Sequence, residues 1–394
     1  MQKKLIALAI AGLSSAAFAQ TNVTLYGIAD VAFESVKASG GTADPTGTIT
    51  GMLVTGDGYS NFSRVASNSS YIGFKGAEDL GDGLKAVFQF ETGFNADTGV
   101  WSGAARDTYA GLAGGFGTVV FGNLTGPTRA LGGRMEMLPG NTNAGTAVSL
   151  LGNAANFFNT GTTGTFDTRL ANSVAYISPD FNGFNGVIAY SSGENKSLDN
   201  VAAGAQLNTK AYDLGLNYAN GPLDLGLTYG KVDTDTDSAA GGVTGAGALT
   251  GVKDIKNIRF GAGYNFGVAK VTFQYNKQTI NFGSGDDLDH KSYSLQGSYS
   301  ITPAGKLIAD YTVAKELEGS LVTGLNDSGA KLVTVGYLHS LSKRTTLKAV
   351  WTRLTNDSNA RYNFSSSAIG ATGVGGFGYG ADPQALSMGL RHSF

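Results

Sequence analysis

"ALSMGLRHSF", residues 385–394, closes the chain with a pattern that is typical of a β-strand. Counting back from the aromatic Phe394, every second residue is mostly apolar: His392, Leu390, Met388 and Leu386. Chain ends are usually polar and frayed, so a strand pattern that reaches the last residue indicates a strand held by neighbours on both edges. A sheet that closes on itself would supply both neighbours.

The same two-residue period recurs along the chain. In KAYDLGLNYA, residues 210–219, one face carries Tyr212, Leu214, Leu216 and Tyr218. After the turn signal Asn220-Gly221-Pro222, the pattern is repeated by Leu223, Leu225, Leu227 and Tyr229. No window of comparable length has the 3.6-residue period of an amphipathic helix.

Sixteen segments with this pattern predict an all-β fold. They lie near residues 21–36, 62–76, 83–97, 104–113, 116–123, 169–180, 183–193, 208–220, 221–232, 255–267, 268–281, 289–302, 303–315, 328–342, 343–356 and 383–394. Tight turns alternate with long polar or glycine-rich loops, which is the asymmetry of an outer-membrane barrel. We therefore predict a 16-stranded antiparallel transmembrane β-barrel.

The composition excludes several classes of protein. A net charge of −2 is too small to indicate a nucleic acid or polyanionic partner. There is no cysteine, so the fold does not depend on disulfides, and three histidines offer little for a zinc site. No cofactor and no metal are expected.

The N-terminus has the features of a secretory signal peptide. Lys3 and Lys4 precede an apolar run, Leu5–Leu13, and the small residues end at Ala17-Phe18-Ala19. We expect residues 1–19 to be cleaved and residues 20–394 to form a single barrel domain.

A soluble β-sandwich is the main alternative, because alternation shows only that one face of each strand is apolar. Charges and amides occupy the polar face of nearly every segment, and no second apolar sheet remains to cover that face. Tyrosine and phenylalanine recur at segment ends, where interfacial aromatic girdles lie in barrels. Both features favour the membrane barrel.

Several blocks resemble the Gram-negative general porins, particularly their betaproteobacterial branch. They span essentially the whole mature chain: VTLYGIADVAFE (23–34), SSYIGFKGAEDLGDGLKAVFQFETGF (69–94), RDTYAGLAGGFGTVVFGN (106–123), RLANSVAYISPDFNGF (169–184) and GLRHSF (389–394). The resemblance implies a homotrimer in the outer membrane, in contact with lipid and lipopolysaccharide, that passes ions and small hydrophilic solutes by passive diffusion. It also implies that Phe394 helps the outer-membrane assembly machinery to recognise the chain.

The longest connection runs from about residue 124 to 168. A stretch of this length in a compact fold is usually functional, and a 16-stranded barrel encloses a wide channel that a tucked-in loop would narrow. The resemblance implies an inward-folded third loop at this position. The alternative is a loop that covers the outside of the barrel.

Strand parity predicts basic residues in the lumen. It places Lys75 with Gly73, Lys85 with Gln89, Arg169 with Ser173, and Arg106 with Thr108 opposite Tyr109. In the porins that this chain resembles, arginines on the second, fourth and sixth strands face acidic residues of the third loop, and Arg106 and Arg169 fall in matching blocks. The second-strand position is Tyr71 here, with Arg64 displaced upstream, which puts strong anion selectivity in doubt.

On the loop, Glu136 is the one carboxylate between Leu124 and Phe166, with Asp167 at the base and Arg129 and Arg134 nearby. These groups predict a transverse field from Glu136 toward the basic wall. The alternative is that each is an ordinary solvated charge.

Two other functions remain open. The first is a substrate-selective porin for small organic anions or phosphate, whose loops would be tuned to one class of solute. The second, less favoured, is a barrel enzyme, which would need Asp/His or Ser/His groups clustered at one rim. We expect a channel without enzymatic activity.

Overall fold

The computed structural model describes residues 22–44, 56–139, 144–154, 166–193, 210–233, 252–320, 326–365, 368–370 and 377–394, except for the side chains of 102–105. The expected signal peptide, residues 1–19, lies outside the described residues. Across these ranges, no helix is long and apolar enough to span a membrane.

The described residues form one antiparallel sheet with the helix α1, Pro127–Met135, on the connection after its sixth strand. The strands are β1 Asn22–Ser39, β2 Tyr59–Ser67, β3 Tyr71–Gly81, β4 Leu84–Asn95, β5 Val100–Gly114, β6 Gly117–Thr125, β7 Arg169–Ile177, β8 Phe184–Ser191, β9 Lys210–Asn220, β10 Leu223–Asp233, β11 Val252–Asn265, β12 Ala269–Phe282, β13 Asp287–Ser300, β14 Gly305–Ala314, β15 Ala330–Ser340, β16 Thr345–Asn356 and β17 Asp382–Ser393. Neighbouring strands in chain order pair with each other, except that β2 and β3 both pair with β1.

Strands β2 and β3 together make one barrel strand. Residue Ile28 of β1 is paired with Tyr71 of β3, and Val31 of β1 is paired with Ser67 of β2, so the two pieces lie end to end along β1. Between them, Ser69 has a φ of 56°, which interrupts the extended backbone. The barrel therefore has 16 strands, as predicted, and the predicted segment 62–76 contains this break.

The barrel closes through its first and last strands. Strand β17 pairs with β16 on one edge and with β1 on the other. The Phe394 backbone exchanges two hydrogen bonds with Gly27, at 3.2 and 3.1 Å. The prediction that the last strand is held on both edges is confirmed, and no strand edge at this seam is left open to pair with another chain.

Alternation turns the apolar side chains outward. On β9, Leu214 and Leu216 are 39% and 54% exposed, whereas the adjacent Asp213 is 1% exposed. Aromatic rings collect where strands meet the short turns, including the pairs Phe184–Tyr218 and Tyr264–Phe266 at centroid distances of 4.3 and 4.6 Å. This arrangement is that of a membrane barrel with an aromatic girdle, and it excludes the sandwich.

Candidate functional site

Helix α1 lies against the inner, polar face of β9 to β12. Its Leu131 is fully buried above Gly226 of β10 and Gly261 of β11. A Cβ at these two glycines would come within 2.4 and 2.9 Å of Leu131 Cδ1. Glycine on the inner face of two neighbouring strands thus lets the helix approach the wall.

The N-terminus of α1 is held by a wall carboxylate. Its N-cap residue, Gly126, provides no side-chain cap. Instead, Asp213 of β9 accepts hydrogen bonds from the backbone N–H of Thr128, at 3.0 Å, and from its hydroxyl, at 2.7 Å. A carboxylate at this end satisfies a free N–H group and is favoured by the helix dipole.

The other end of the long connection is held by a buried ion pair. Arg259 of β11 binds Asp167 through two hydrogen bonds, of 2.8 and 2.6 Å, and both side chains are at most 4% exposed. A third guanidinium nitrogen donates to Asn276 of β12 at 2.9 Å. Asp167, which we predicted at the base of the constriction loop, is therefore neutralised by Arg259, a residue that the sequence analysis did not single out.

Glu136 follows α1 directly, and its carboxylate is turned toward its own segment. It accepts hydrogen bonds from the backbone N–H groups of Met137, Leu138 and Ala147, at 3.1 to 3.2 Å. Burial raises the pKa of this carboxyl, although these hydrogen bonds oppose the shift. Among the described residues, none of its hydrogen bonds goes to Arg106 or Arg169, so the structure does not pair Glu136 with these two arginines.

Arg106 lies on the inner side of the barrel among three neighbours from other strands. Its Nε is 3.2 Å from a carboxylate oxygen of Glu91 on β4, and its guanidinium is 4.1 Å from the ring centre of Tyr71 on β3. Tyr26 of β1 donates a 2.7 Å hydrogen bond to the other oxygen of Glu91. Tyr71 thus contributes an aromatic face that supports the cation.

Strict alternation, which placed Arg106 on the same face as Thr108, does not describe this part of β5. Tyr109 is paired with the inward-facing Gln89 and donates to it at 3.1 Å, so Tyr109 is inside and Thr108 is not. The pairing of β4 with β5 shifts register between Thr108 and Ala105. This irregularity brings both Arg106 and the next residue, Asp107, to the inner side, where strict alternation would allow only one of them.

Arg169 begins β7 and is joined to β5 through Asp107. Its Nε lies 3.0 Å from Asp107 Oδ1, the atom that also accepts from the Thr125 hydroxyl at 2.7 Å. Sequence parity did not identify Asp107, because Asp107 enters the lumen through the register shift of β5.

Arg129 of α1 adds a third guanidinium beside Arg106 and Arg169. It donates to the backbone carbonyl of Asp167. Burial and the positive charges of Arg169 and Arg106 lower the pKa of Arg129, while Asp167 and Asp107 oppose that shift. We call Arg106, Arg129 and Arg169 the arginine cluster.

Lys75 and Lys85 lie nearer the short β3–β4 turn than Arg106 does. Lys75 is exposed, with its ammonium 4.9 Å from the ring centre of Tyr26. Lys85 is exposed near the β3–β4 turn and lines the same cavity, of about 510 Å³, as Lys75 and Gln89.

The sequence analysis also missed an ionic cluster at the closing seam. Asp30 of β1 is fully buried and binds Lys348 of β16, and it lies 3.1 Å from Nη1 of Arg391 on β17. Nearby, Glu34 binds Arg64 of β2 at 2.9 Å. The alternation of β1 would have placed Asp30 and Glu34 on one face, but their partners could be found only once the closing register was known.

A closed barrel with an apolar outside, a charged inside and a connection laid along its inner wall is the architecture of a membrane channel. The chain belongs to the Gram-negative porin family, whose model matches residues 5–359. It is 30% identical to Outer membrane porin protein 32 of Delftia acidovorans, with 100% of both chains covered. It is 28% identical to Major outer membrane protein P.IB of Neisseria gonorrhoeae, over 88% of this chain and 91% of the relative.

Solved structures give the same result. The anion-selective porin from Comamonas acidovorans is similar at a TM-score of 0.72 and 26% identity, over 95% of this chain and 100% of that one. Salmonella typhi OmpF, at 16% identity over 94% of this chain and 97% of that chain, shares the fold with a TM-score of 0.61. The predictions of family, fold class and outer-membrane location are confirmed: the protein is an outer-membrane porin that forms a water-filled channel for passive diffusion.

Proposed function

We propose that the channel passes small hydrophilic solutes with a modest preference for anions, set by the arginine cluster. Three guanidinium groups there are accompanied by two bound carboxylates, Glu91 and Asp107. On the loop, Asp167 is neutralised by Arg259. The arginine cluster thus carries more positive than negative charge, which favours anions where an ion loses part of its water.

Residues 124–168 act as the constriction loop in this proposal. Support comes from the contacts of α1 with the inner wall and from its two anchors, Asp213 and Arg259. A loop held at both ends against the wall would reduce the bore without closing it.

The assembled form that we propose is a homotrimer in contact with outer-membrane lipid and lipopolysaccharide. Residues 1–19 would be removed on export. Phe394, whose backbone is bound to Gly27 at the seam, would serve as the recognition signal for the assembly machinery. A porin tuned to small organic anions or phosphate is the second candidate, favoured by the same arginine cluster.

Charge reversal in the arginine cluster tests the proposal. The variant carrying Arg106→Glu and Arg169→Glu should move the reversal potential in a potassium chloride gradient from the anion side to the cation side, because the excess lumen charge changes sign. The measurement is made on the purified protein in a planar bilayer.

The matched control carries Lys343→Glu and Arg344→Glu, which change the net charge equally at an exposed turn. This control should keep the sign of the wild-type reversal potential. An unchanged reversal potential in the Arg106/Arg169 variant would remove both arginines from the selective part of the pore.

A further inference from the structure

The inner wall of β4 to β8 carries an aliphatic surface beside the arginine cluster. Six side chains line one cavity of about 460 Å³, and we call them the aliphatic patch: Val87, Val120, Ala175, Ile177, Val187 and Ala189. Their chain neighbours Phe121, Tyr176 and Ile188 are 60%, 37% and 57% exposed on the lipid side. The aliphatic patch therefore faces the lumen.

The wall on the other side of the barrel has the opposite character. On β12, Thr272, Gln274, Asn276 and Gln278 point inward and are buried. Thr272 donates to the Met135 carbonyl at 2.7 Å, and Gln278 accepts from the backbone N–H of Ala154 at 3.2 Å. The polar wall thus binds the long connection. The aliphatic patch lines the cavity, with Val87, Ile177 and Val187 half-buried and the other three side chains buried.

An aliphatic surface in a water-filled lumen is unusual, because barrel interiors of this class are polar. Covering such a surface with an apolar group is favourable by about 25 cal/mol per Å² of apolar surface removed from water. The apolar part of a passing solute is thus stabilised when it lies on the aliphatic patch.

Charges bound the cavity at its edges. Helix α1 forms the facing side with Pro127 and Ala130, and Arg134 lies at one rim, 2.7 Å from Asn217 and 3.1 Å from Asp224. At another rim lies Asp107, the partner of Arg169. The cavity thus combines an apolar floor with one guanidinium, that of Arg134, whose side chain is 34% exposed.

We propose that this cavity is a subsite for compact organic monocarboxylates with an apolar body, such as benzoate. The inference rests on the channel function proposed above and deepens it. The carboxylate is attracted by Arg134 at the rim, and the ring lies on the half-buried Val87 and Val187. An anion of equal charge that lacks an apolar body is stabilised only by the electrostatic attraction.

The test compares potassium benzoate with potassium acetate on the full-length protein in planar bilayers. Each salt is added to one side of a channel that is conducting chloride, and the concentration that halves the chloride current is measured. Benzoate should act at a concentration about tenfold lower than acetate, because burying roughly two additional CH₂ equivalents is worth that factor.

Two variants localise the effect. Val87→Thr and Val187→Thr keep the side-chain shape but replace a methyl group by a hydroxyl, and each should reduce the benzoate-to-acetate ratio by about threefold. The matched control is Val119→Thr, the same change on the outward face of β6, opposite the exposed Leu112. It should keep the wild-type ratio.

Equal half-blocking concentrations of benzoate and acetate on the wild-type channel would overturn the inference and leave the porin function standing. A wild-type ratio in both inner-face variants would also overturn it. Folded protein that produces no channels would instead overturn the proposed function itself.

Discussion

At the scale of single residues, pairing decides which charges are free to act on a passing ion. Asp167 is held by Arg259 in a buried ion pair, and Glu136 is held by three backbone N–H groups. The basic side of the lumen is different, since Arg129 joins Arg106 and Arg169 there. The loop therefore adds a positive charge to the basic side of the lumen. The sequence analysis had instead predicted a field from the loop carboxylate Glu136 toward that side.

Glu136 predicts a pH dependence of the loop. Burial raises the pKa of its carboxyl from 4.5 to about 7. A folded-state pKa above the unfolded value means that the native loop binds the proton more tightly. The free energy that holds the loop in place therefore falls as the pH rises from about 4.5 to about 7. Brief current interruptions in bilayer recordings should become more frequent over that interval.

The variant Glu136→Gln should reduce this pH dependence, because position 136 then exchanges no proton. The control is Glu318→Gln, a glutamate whose side chain is 58% exposed, which should respond to pH as the wild type does. A Glu136→Gln channel that keeps the wild-type pH response would assign the titration to another group.

Some of these residues were within reach of the sequence and others were not. Arg169 could be proposed from its place in a recognised block. Asp107 could not, because a register shift leaves no signal in an alternating pattern. The Arg259–Asp167 pair joins residues 92 positions apart, and periodicity along one strand carries no information about such a contact.

At the scale of the elements, the strands were predictable because a membrane barrel requires an apolar residue at every second position. Their ends were not: the predicted segment 169–180 ends at Ile177, and 183–193 is Phe184–Ser191. The break at Ser69, between β2 and β3, lay inside a predicted continuous segment. The alternating pattern persists through such irregularities. It therefore predicts the number of barrel strands but not the places where a strand is interrupted.

The seam between β1 and β17 predicts that Gly27 is needed for closure. A Cβ there would lie 2.4 Å from the Phe394 ring and 2.6 Å from the Tyr71 carbonyl oxygen. Because the second neighbour is backbone, the strain of Gly27→Ala cannot be relieved by a side-chain rotation, and overpacking of this kind costs about 1–3 kcal/mol. The fraction of protein that migrates as a folded barrel on unheated gels should fall.

The control for this substitution is Gly186→Ala on β8, where an added Cβ meets nothing nearer than 4.0 Å. This variant should fold as the wild type does. Equal folded fractions for Gly27→Ala and Gly186→Ala would show that the seam tolerates a side chain at Gly27.

At the scale of the whole molecule, three features act together. The outer face is apolar, the closing seam carries the buried Asp30 with Lys348 and Arg391, and the long connection is fixed to one half of the inner wall. Because that half is occupied, the arginine cluster and the aliphatic patch border the part of the lumen that stays open. In the function that we propose, the path of a solute is thus lined by positive charge and by apolar surface on the same side.

The channel function requires a lumen that is open and water-filled in the membrane. Single-channel recording of the purified wild-type protein in a planar bilayer tests it most directly. We predict open channels with weak voltage dependence that insert in groups of three conductance steps and prefer chloride modestly over potassium. Folded protein that leaves the bilayer electrically silent would contradict the account.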